Sequence, residues 1–600
     1  MSTNRIPHLQ MAGCVLAAAA LALLVWYGIA RPREVKAEWQ GPLKSASFAP
    51  FREGQSPLKE IFPTAQQIEE DLVRLKGVFS GVRTYTSLGG MEVVPALAAK
   101  HGFELTHSAW LGREEEPKGK LRNEEEIAAL IDTANRYPDA VKRVLVGNEV
   151  LLRRDLKPDE LIAYIDRVRG AIRQPVSYAD VWAFWLKHPQ VADHVDYITI
   201  HILPYWEDEP VALDEAQQHM LAIIDRIKQR FPGKPILVGE TGWPTEGRSR
   251  GPAHADLLTA AHFVRDLPRL AEEHGFDYNL VEAYDQGWKA QLEGTVGARW
   301  GMFDESRTLK FGLTGPVVPL DNAMPRIAMS VMLGVLVSLL LVPLVRSAAM
   351  VLGVALWSQL FAAMLVLAVY KAIRLTVAPA SFTWAQQNIL FSLADKHWIG
   401  DTTVAFWYKL LLQQMAVPLA HAWGWLLAVF SLGFALAMLG WLRKLLQVQP
   451  VGRVAVLARG GFGAYAIGAL VFAGMFATSG RYIDIPLPLF WLPLVAALAL
   501  VGLRHLQAGH AIADTMVVTR CPVLNRHALW LLPLAALACV WGEVGAMLGG
   551  EDFITMHPTL AEQLPLIVAS ILANHQLLLW CAACVLLGLV FARQPASAGR

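Results

Sequence analysis

The chain has 600 residues, with 53 Lys and Arg against 52 Asp and Glu and a formal net charge of +1. That balance leaves no basic excess for nucleic acid, and a 54% hydrophobic content excludes wholesale disorder and a small disulfide scaffold. Of the charged side chains, 80 precede residue 321 and 25 follow it, giving −6 and then +7, so a water-soluble region is joined to one with too few charges to cover a globule.

The first apolar run is 12–30, "AGCVLAAAALALLVWYGIA". At 1.5 Å per residue it reaches about 28 Å, enough for a bilayer core. Arg31-Pro32-Arg33 follows where a signal peptide would place a small-residue cleavage site, so an uncleaved anchor is expected. The expected division is 1–40 for the N-terminus, anchor and linker, 41–320 for a soluble domain and 321–600 for a membrane domain. No cysteine lies in 41–320, so that region forms no internal disulfide.

Between 41 and 320 short apolar runs alternate with helical patterns. Strands are predicted at 45–49, 79–85, 103–110, 142–148, 175–180, 195–201, 235–239 and 278–284. Helices are predicted between them, among others at 65–77, 123–135, 157–173, 212–230 and 254–273. Strand–helix alternation argues for a parallel sheet, and this count and length are those of an α/β fold closed as a (β/α)8 TIM barrel. A doubly wound open sheet is the rival; G-x-G-x-x-G after the first strand and a P-loop are both missing from the sequence.

In such a barrel the chemistry sits at the C-terminal strand ends. Those ends present Phe48 and Arg52, then Arg83 and Tyr85, Trp110, Asn148 and Glu149, and Asp180 and Trp182. His201 and Tyr205, Glu240 and Trp243, and Glu282, Asp285, Trp288 and Lys289 complete the circuit. Carboxylates interleaved with aromatics suit a carbohydrate cleft; histidine–cysteine metal spacing and a G-x-S-x-G elbow do not occur there. Glu149 in "VLVGNEV" ends strand four, and Glu240 in "ILVGETGWP" ends strand seven, across the barrel mouth. Glycosidic cleavage needs two carboxyl groups flanking one anomeric carbon, one donating a proton and the other ionised. Asn148 could reach the sugar 2-hydroxyl, and His201 and Tyr205 could hold the ionised partner. No metal and no cofactor are expected.

After residue 321 apolar runs fall at 327–345, 349–370, 419–442, 460–479, 485–503, 527–547 and 572–592, with 404–417 a doubtful extra. With the N-terminus inside, the short inside loops hold Arg346, Arg443, Lys444, Arg453, Arg459, Arg504, Arg520, Arg526, Arg593 and Arg600. The 548–571 loop has no basic residue, whereas 371–418 carries Lys371, Arg374, Lys396 and Lys409 against the trend. The total favours a multi-pass protein of the cytoplasmic (inner) membrane with its soluble domain on the periplasmic side. Glu543, Asn574, His575 and His421 are polar groups in or near spans, and Cys581 and Cys584 form a C-x-x-C in an apolar run, read as packing.

"SFAPFREGQSP" at 47–57, "GVRTY" at 81–85, "VGNEV" at 146–150, "VSYADVW" at 176–182, "GETGWP" at 239–244 and "YDQGWK" at 284–289 together resemble glycoside hydrolase family 17. The resemblance runs from 41 to about 315 and implies a clan A barrel, Glu149 as acid/base, Glu240 as nucleophile and β-1,3-glucan as substrate. Eukaryotic members tend to carry an acidic residue where this chain has Gln286. The layout also resembles bacterial membrane proteins described as β-1,6-glucan synthases. Three functions follow from this. One is a membrane-anchored retaining glycosidase or transglycosylase on β-1,3-glucan poly- or oligosaccharide. The second is a branching transferase coupled to export through the helix bundle, with a separate glucan synthase as donor partner. The third is a non-catalytic glucan sensor. The expected partners are the glucan and the lipid bilayer, with no nucleic acid.

Overall fold

The computed structural model describes residues 6–116, 118–320, 323–345, 347–377, 403–450, 452–508 and 522–591. Arg346, Lys396, Arg520, Cys521, Arg593 and Arg600 lie outside the described residues, as do the side chains of 404–417, Lys409 and His421. The chain divides into two compact units, one made of Pro32–Val318 with Met547–Asn574 and the other of the remaining helices.

In the first unit eight strands close into a barrel in sequence order: β1 Leu43–Ser47, β2 Phe79–Arg83, β3 Glu104–Ala109, β4 Val141–Asn148, β5 Val176–Val181, β6 Ile198–His201, β7 Ile236–Thr241 and β8 Asp277–Leu280. Every pair is parallel, and Ala46 opposite Leu280 closes the ring. The strands are buried on both faces, because side chains fill the lumen and helices cover the outside. This is the (β/α)8 fold the alternation predicts.

Local signals account for the helices. Thr64 and Gln67 form a reciprocal capping box at the start of Ala65–Leu75, whose Ile68, Leu72 and Leu75 are buried at i, i+4 and i+7 spacing. Asp256 caps Leu257–His274 by accepting from the N–H groups of Leu258 and Thr259, and Gly275 ends it in the left-handed conformation. Three shorter helices, Val94–His101, Trp182–Lys187 and Ala290–Gly297, add to those the pattern names.

The second unit is all-helical. Among the described residues six helices are long and apolar enough to cross a membrane: His8–Ala30, Ala323–Leu344, Met350–Arg374, Trp423–Leu446, Gly452–Thr478 and Val523–Leu548. The expected run at 485–503 is a helix, but its described apolar stretch, Leu487–Gly502, is shorter than a span. The run expected at 572–592 is broken at Asn574, which leaves His575–Val590 as its apolar part. The doubtful stretch 404–417 lies within one helix, Thr403–Leu446. Of the charges that count against the topology, Lys371 pairs with Asp484 at 2.9 Å, and Arg374 donates to the Tyr370 hydroxyl. Cys581 and Cys584 are free thiols on the His575–Val590 helix.

Candidate active site

The mouth of the barrel is shaped first by backbone. At the end of β4, Gly147 takes φ +88°, and a Cβ there would meet Val150 Cγ2 at 2.7 Å. Two residues later Glu149 itself sits at φ +53°, a conformation that costs a side-chain-bearing residue energy and is concentrated at functional sites. The twist lifts the Glu149 carboxyl out of the strand and over the lumen. Glu240 arrives from β7, in register with His201 on β6.

Carboxylate oxygens of Glu149 and Glu240 and a ring nitrogen of His201 all lie within 4.8 Å of one another. Arg83, fully buried at the end of β2, ties the set together. Its Nη1 donates to Gly239 O at 2.7 Å and to Glu240 Oε1 at 3.2 Å, while Nη2 donates to Asn148 Oδ1 at 2.5 Å. The Tyr85 ring lies 5.0 Å from the same guanidinium, and its hydroxyl donates to Ser47 Oγ at 2.9 Å. One cation thus orients a carboxylate on one side of the mouth and the amide beside the second carboxylate on the other.

His201 does not hold Glu240 as expected. Its Nδ1 is 2.9 Å from Glu149 Oε1, while its Nε2 stands 3.6 Å from Glu240 Oε1. Burial pushes the Glu149 carboxyl up, but the hydrogen bond and charge of His201, with Arg153 and Arg83 behind, outweigh it and hold the group below its ordinary value. Asp180 lies beneath, fully buried, accepting from the Tyr178 hydroxyl and the Val181 N–H. Burial and the neighbouring Glu149 charge push it up to about 7.

A second acidic group lies beside the first. Glu282, fully buried, is clamped by Lys289 Nζ at 3.1 Å from both carboxylate oxygens, and burial raises it to about 7. Burial alone would lower the Lys289 ammonium, but Glu282, Tyr85, Glu293 and Glu240 around it raise it, so it is a fixed cation. Glu293 faces the same cation; burial, with the Glu149 and Glu240 charges, pushes it up to about 7. The sequence reading missed Glu293. It sits on Ala290–Gly297, a helix kinked at Gly294 (φ +71°), with no strand end to mark it.

Several expected sugar contacts are instead packed into the walls. Trp182 opens a helix and is buried in the core, because the chain turns inward immediately after β5. Trp243 is buried against Phe263 and donates its Nε1–H to His254 O at 2.7 Å. Tyr205 stacks on Trp206, and its hydroxyl donates to Arg248 O at 2.5 Å rather than to Glu240. Asp285 is locked between Lys310 at 2.7 Å and Arg299 at 3.3 Å, and accepts from the Gly301 N–H. Asp180 and Glu282 are likewise paired internally rather than offered to a ligand. Trp288 stays half-buried at the rim, edge-on to Phe51, and donates to Gln286 Oε1 at 2.8 Å.

Among the described residues, Glu149, His201 and Glu240 are the one group of His, Cys, Asp and Glu compact enough to hold a cation. Arg83 already places a positive charge on it.

The BtgE/BtgC glycoside hydrolase domain matches residues 45–301. A glucan 1,3-β-glucosidase of Schizosaccharomyces pombe is 31% identical over 249 residues, which is 39% of this chain and 75% of that protein. A glucan 1,3-β-glucosidase of Candida albicans is 26% identical over 274 residues, 41% of this chain and 85% of that one. Among solved structures, a glycoside hydrolase family 17 β-1,3-glucanosyltransferase from Rhizomucor miehei is 23% identical at a TM-score of 0.40, covering 45% of this chain and 97% of its own. The chain belongs to glycoside hydrolase family 17, and its barrel is a glycoside hydrolase domain of that type.

Proposed function

We propose that the protein is a membrane-anchored retaining enzyme of β-1,3-glucan, with Glu240 as nucleophile and Glu149 as acid/base. The observation that carries this reading is the approach of the two carboxylates to within 4.8 Å, with Arg83 on one of them. About 5–5.5 Å is the spacing of retaining glycosidases; inverting ones need about 6.5–9.5 Å to admit a water. Glu240 attacks the anomeric carbon as the bond to the departing oxygen breaks. Arg83 keeps the nucleophile oriented through its hydrogen bond to Glu240 Oε1. The Glu149–His201 pair holds the mobile proton, and Glu149 delivers it to the departing oxygen. In the second half Glu149 takes a proton from water or from a sugar hydroxyl, which displaces Glu240 with net retention. Water gives hydrolysis and a sugar gives transfer. Relatives named glucan 1,3-β-glucosidase support the substrate class.

The apolar helices support insertion in a bilayer, and the basic residues of the short loops support an inner membrane with the barrel on the periplasmic side. The test uses the full chain in detergent micelles with laminari-oligosaccharides, following products by mass and linkage. Shorter products mean hydrolysis, longer ones transfer, and new 1,6 linkages branching. Failure to yield any product from a folded preparation would refute the enzymatic reading.

A further inference from the structure

The barrel unit contains a segment from far along the chain. Residues 547–574 return to the loops that follow β5, β6 and β7. Lys187 pairs with Glu551 at 2.8 Å. The buried Asp208 carboxylate accepts from the Asp552 N–H at 3.1 Å, and Glu209 meets His557 Nε2 at 2.8 Å. Phe553 is buried, and Met556 packs on the barrel core. A 14-residue helix, Leu560–Ala573, follows. Its Gln563 and Ile567 are buried, Ser570 sits against Gly251 (φ +48°) where a Cβ would collide, and Asn574 Nδ2 donates to Ser249 O at 3.4 Å.

The polarity of this helix is inverted. The buried side carries Gln563, Ile567 and Ser570, with Asn574 just past its end. The side away from it carries Leu560, Leu564, Val568 and Leu572, between 48% and 74% exposed, with Ala561, Pro565 and Ala569 also exposed and one charged residue, Glu562, exposed in the first turn, where its carboxylate caps the helix. A helix facing water shows the opposite arrangement. At 1.5 Å per residue it reaches about 21 Å, too short for a hydrocarbon core of about 30 Å. It passes at Asn574 directly into the apolar helix His575–Val590, so the chain has no linker in which to leave the membrane surface.

We infer that Leu560–Ala573 is an interfacial helix: it holds the barrel by its polar face and embeds the Leu560–Leu564–Val568–Leu572 face in the lipid surface. This segment thereby ties the loops after β5, β6 and β7 to the lipid surface. No lysine or arginine occurs in 547–574, so apolar burial and not anionic headgroup attraction holds the helix in place. This rests on the reading of the apolar helices as membrane spans.

The test places a nitroxide at Leu564→Cys or Val568→Cys in full-length protein whose five natural cysteines are replaced, reconstituted in phosphatidylcholine nanodiscs. Leu534→Cys in the Val523–Leu548 helix and Lys100→Cys on the barrel serve as lipid and water references. The ratio of oxygen to nickel-chelate accessibility at 564 and 568 is expected to exceed that at 100 by about tenfold, and to stay unchanged when phosphatidylglycerol is added. Ready access of the chelate to 564 and 568 while 534 remains lipid-exposed overturns the inference and leaves the spans standing. Exclusion of both reagents means that protein covers this face, which also overturns it. Chelate access at 534 as well overturns the membrane reading itself.

Discussion

Replacing Arg83 tests the site most directly, because this side chain is not expected to touch the bond that breaks. It makes one charge-assisted hydrogen bond to Glu240 at 3.2 Å and another to Asn148 at 2.5 Å. A hydrogen bond to a charged group contributes about 1.5–3 kcal/mol, and each 1.36 kcal/mol is tenfold in rate. Losing the bond to Glu240 alone therefore costs about 10–150-fold, and releasing Asn148 carries Arg83→Met to about 10²–10⁴ in kcat/KM. Arg83→Lys keeps the charge but cannot span both partners and Gly239 O, so about 10–100-fold is expected. The assay is the initial rate on laminari-oligosaccharides by full-length protein, with Tm measured in parallel because the guanidinium is wholly buried. An Arg83→Met enzyme within about fivefold of the parent at unchanged Tm would refute the claim that this cation organises the two carboxylates.

The carboxylates themselves should be less forgiving. Glu240→Ala and Glu149→Gln are each expected to lose at least about 10³-fold, and azide should partly restore turnover of an activated substrate at Glu149→Ala; full-rate Glu240→Ala would end the proposed mechanism. His201→Phe removes the largest of the influences that hold Glu149 down, so burial lets the carboxyl rise and the basic limb of kcat/KM moves to higher pH. An unmoved limb would show that His201 does not tune the acid. Asp180, raised to about 7, binds its proton in the folded chain at pH values where an unfolded aspartate, near about 3.9, has lost it. Its contribution to stability thus falls between about pH 4 and 7 and levels off above, so Asp180→Asn should flatten the loss of Tm between pH 5 and 7. An identical pH slope in the variant would contradict this. Chelators should leave the rate unchanged, since Arg83 occupies the place where a cation would approach Glu240; inhibition reversed by added metal would show otherwise.

The strand ends were legible because a parallel barrel reports each strand as an apolar run, and Glu149 and Glu240 follow two of the clearest. The direction of side chains just past a strand was not. Alternation stops there, so Trp182 and Trp243 read as lining when the turn after β5 and the packing on Phe263 carry them inward. Arg83 reads as one basic residue among many until β2 and β7 are placed across the same lumen. Glu293 depends on a kinked helix with no periodic signature. The segment 547–574 was the least visible, since the sequence shows it only as a loop without basic residues ahead of the run at 572–592.

The division of the barrel unit between Pro32–Val318 and Met547–Asn574 also sets a timetable for its making. At about 5–20 residues per second, the ribosome needs about 10–50 s to travel from the last strand-bearing stretch to the closing piece. During that interval the seat of Phe553 and the carboxylates of Asp208 and Glu209 stand uncovered. A nascent enzyme would then be assembled late, after the intervening helices are in place, which delays glucan chemistry until the protein is fully installed. Protease pulses on stalled nascent chains would reveal this: the 203–211 loop should be cut before residue 574 emerges and protected afterwards, and equal cutting at both lengths would argue against it.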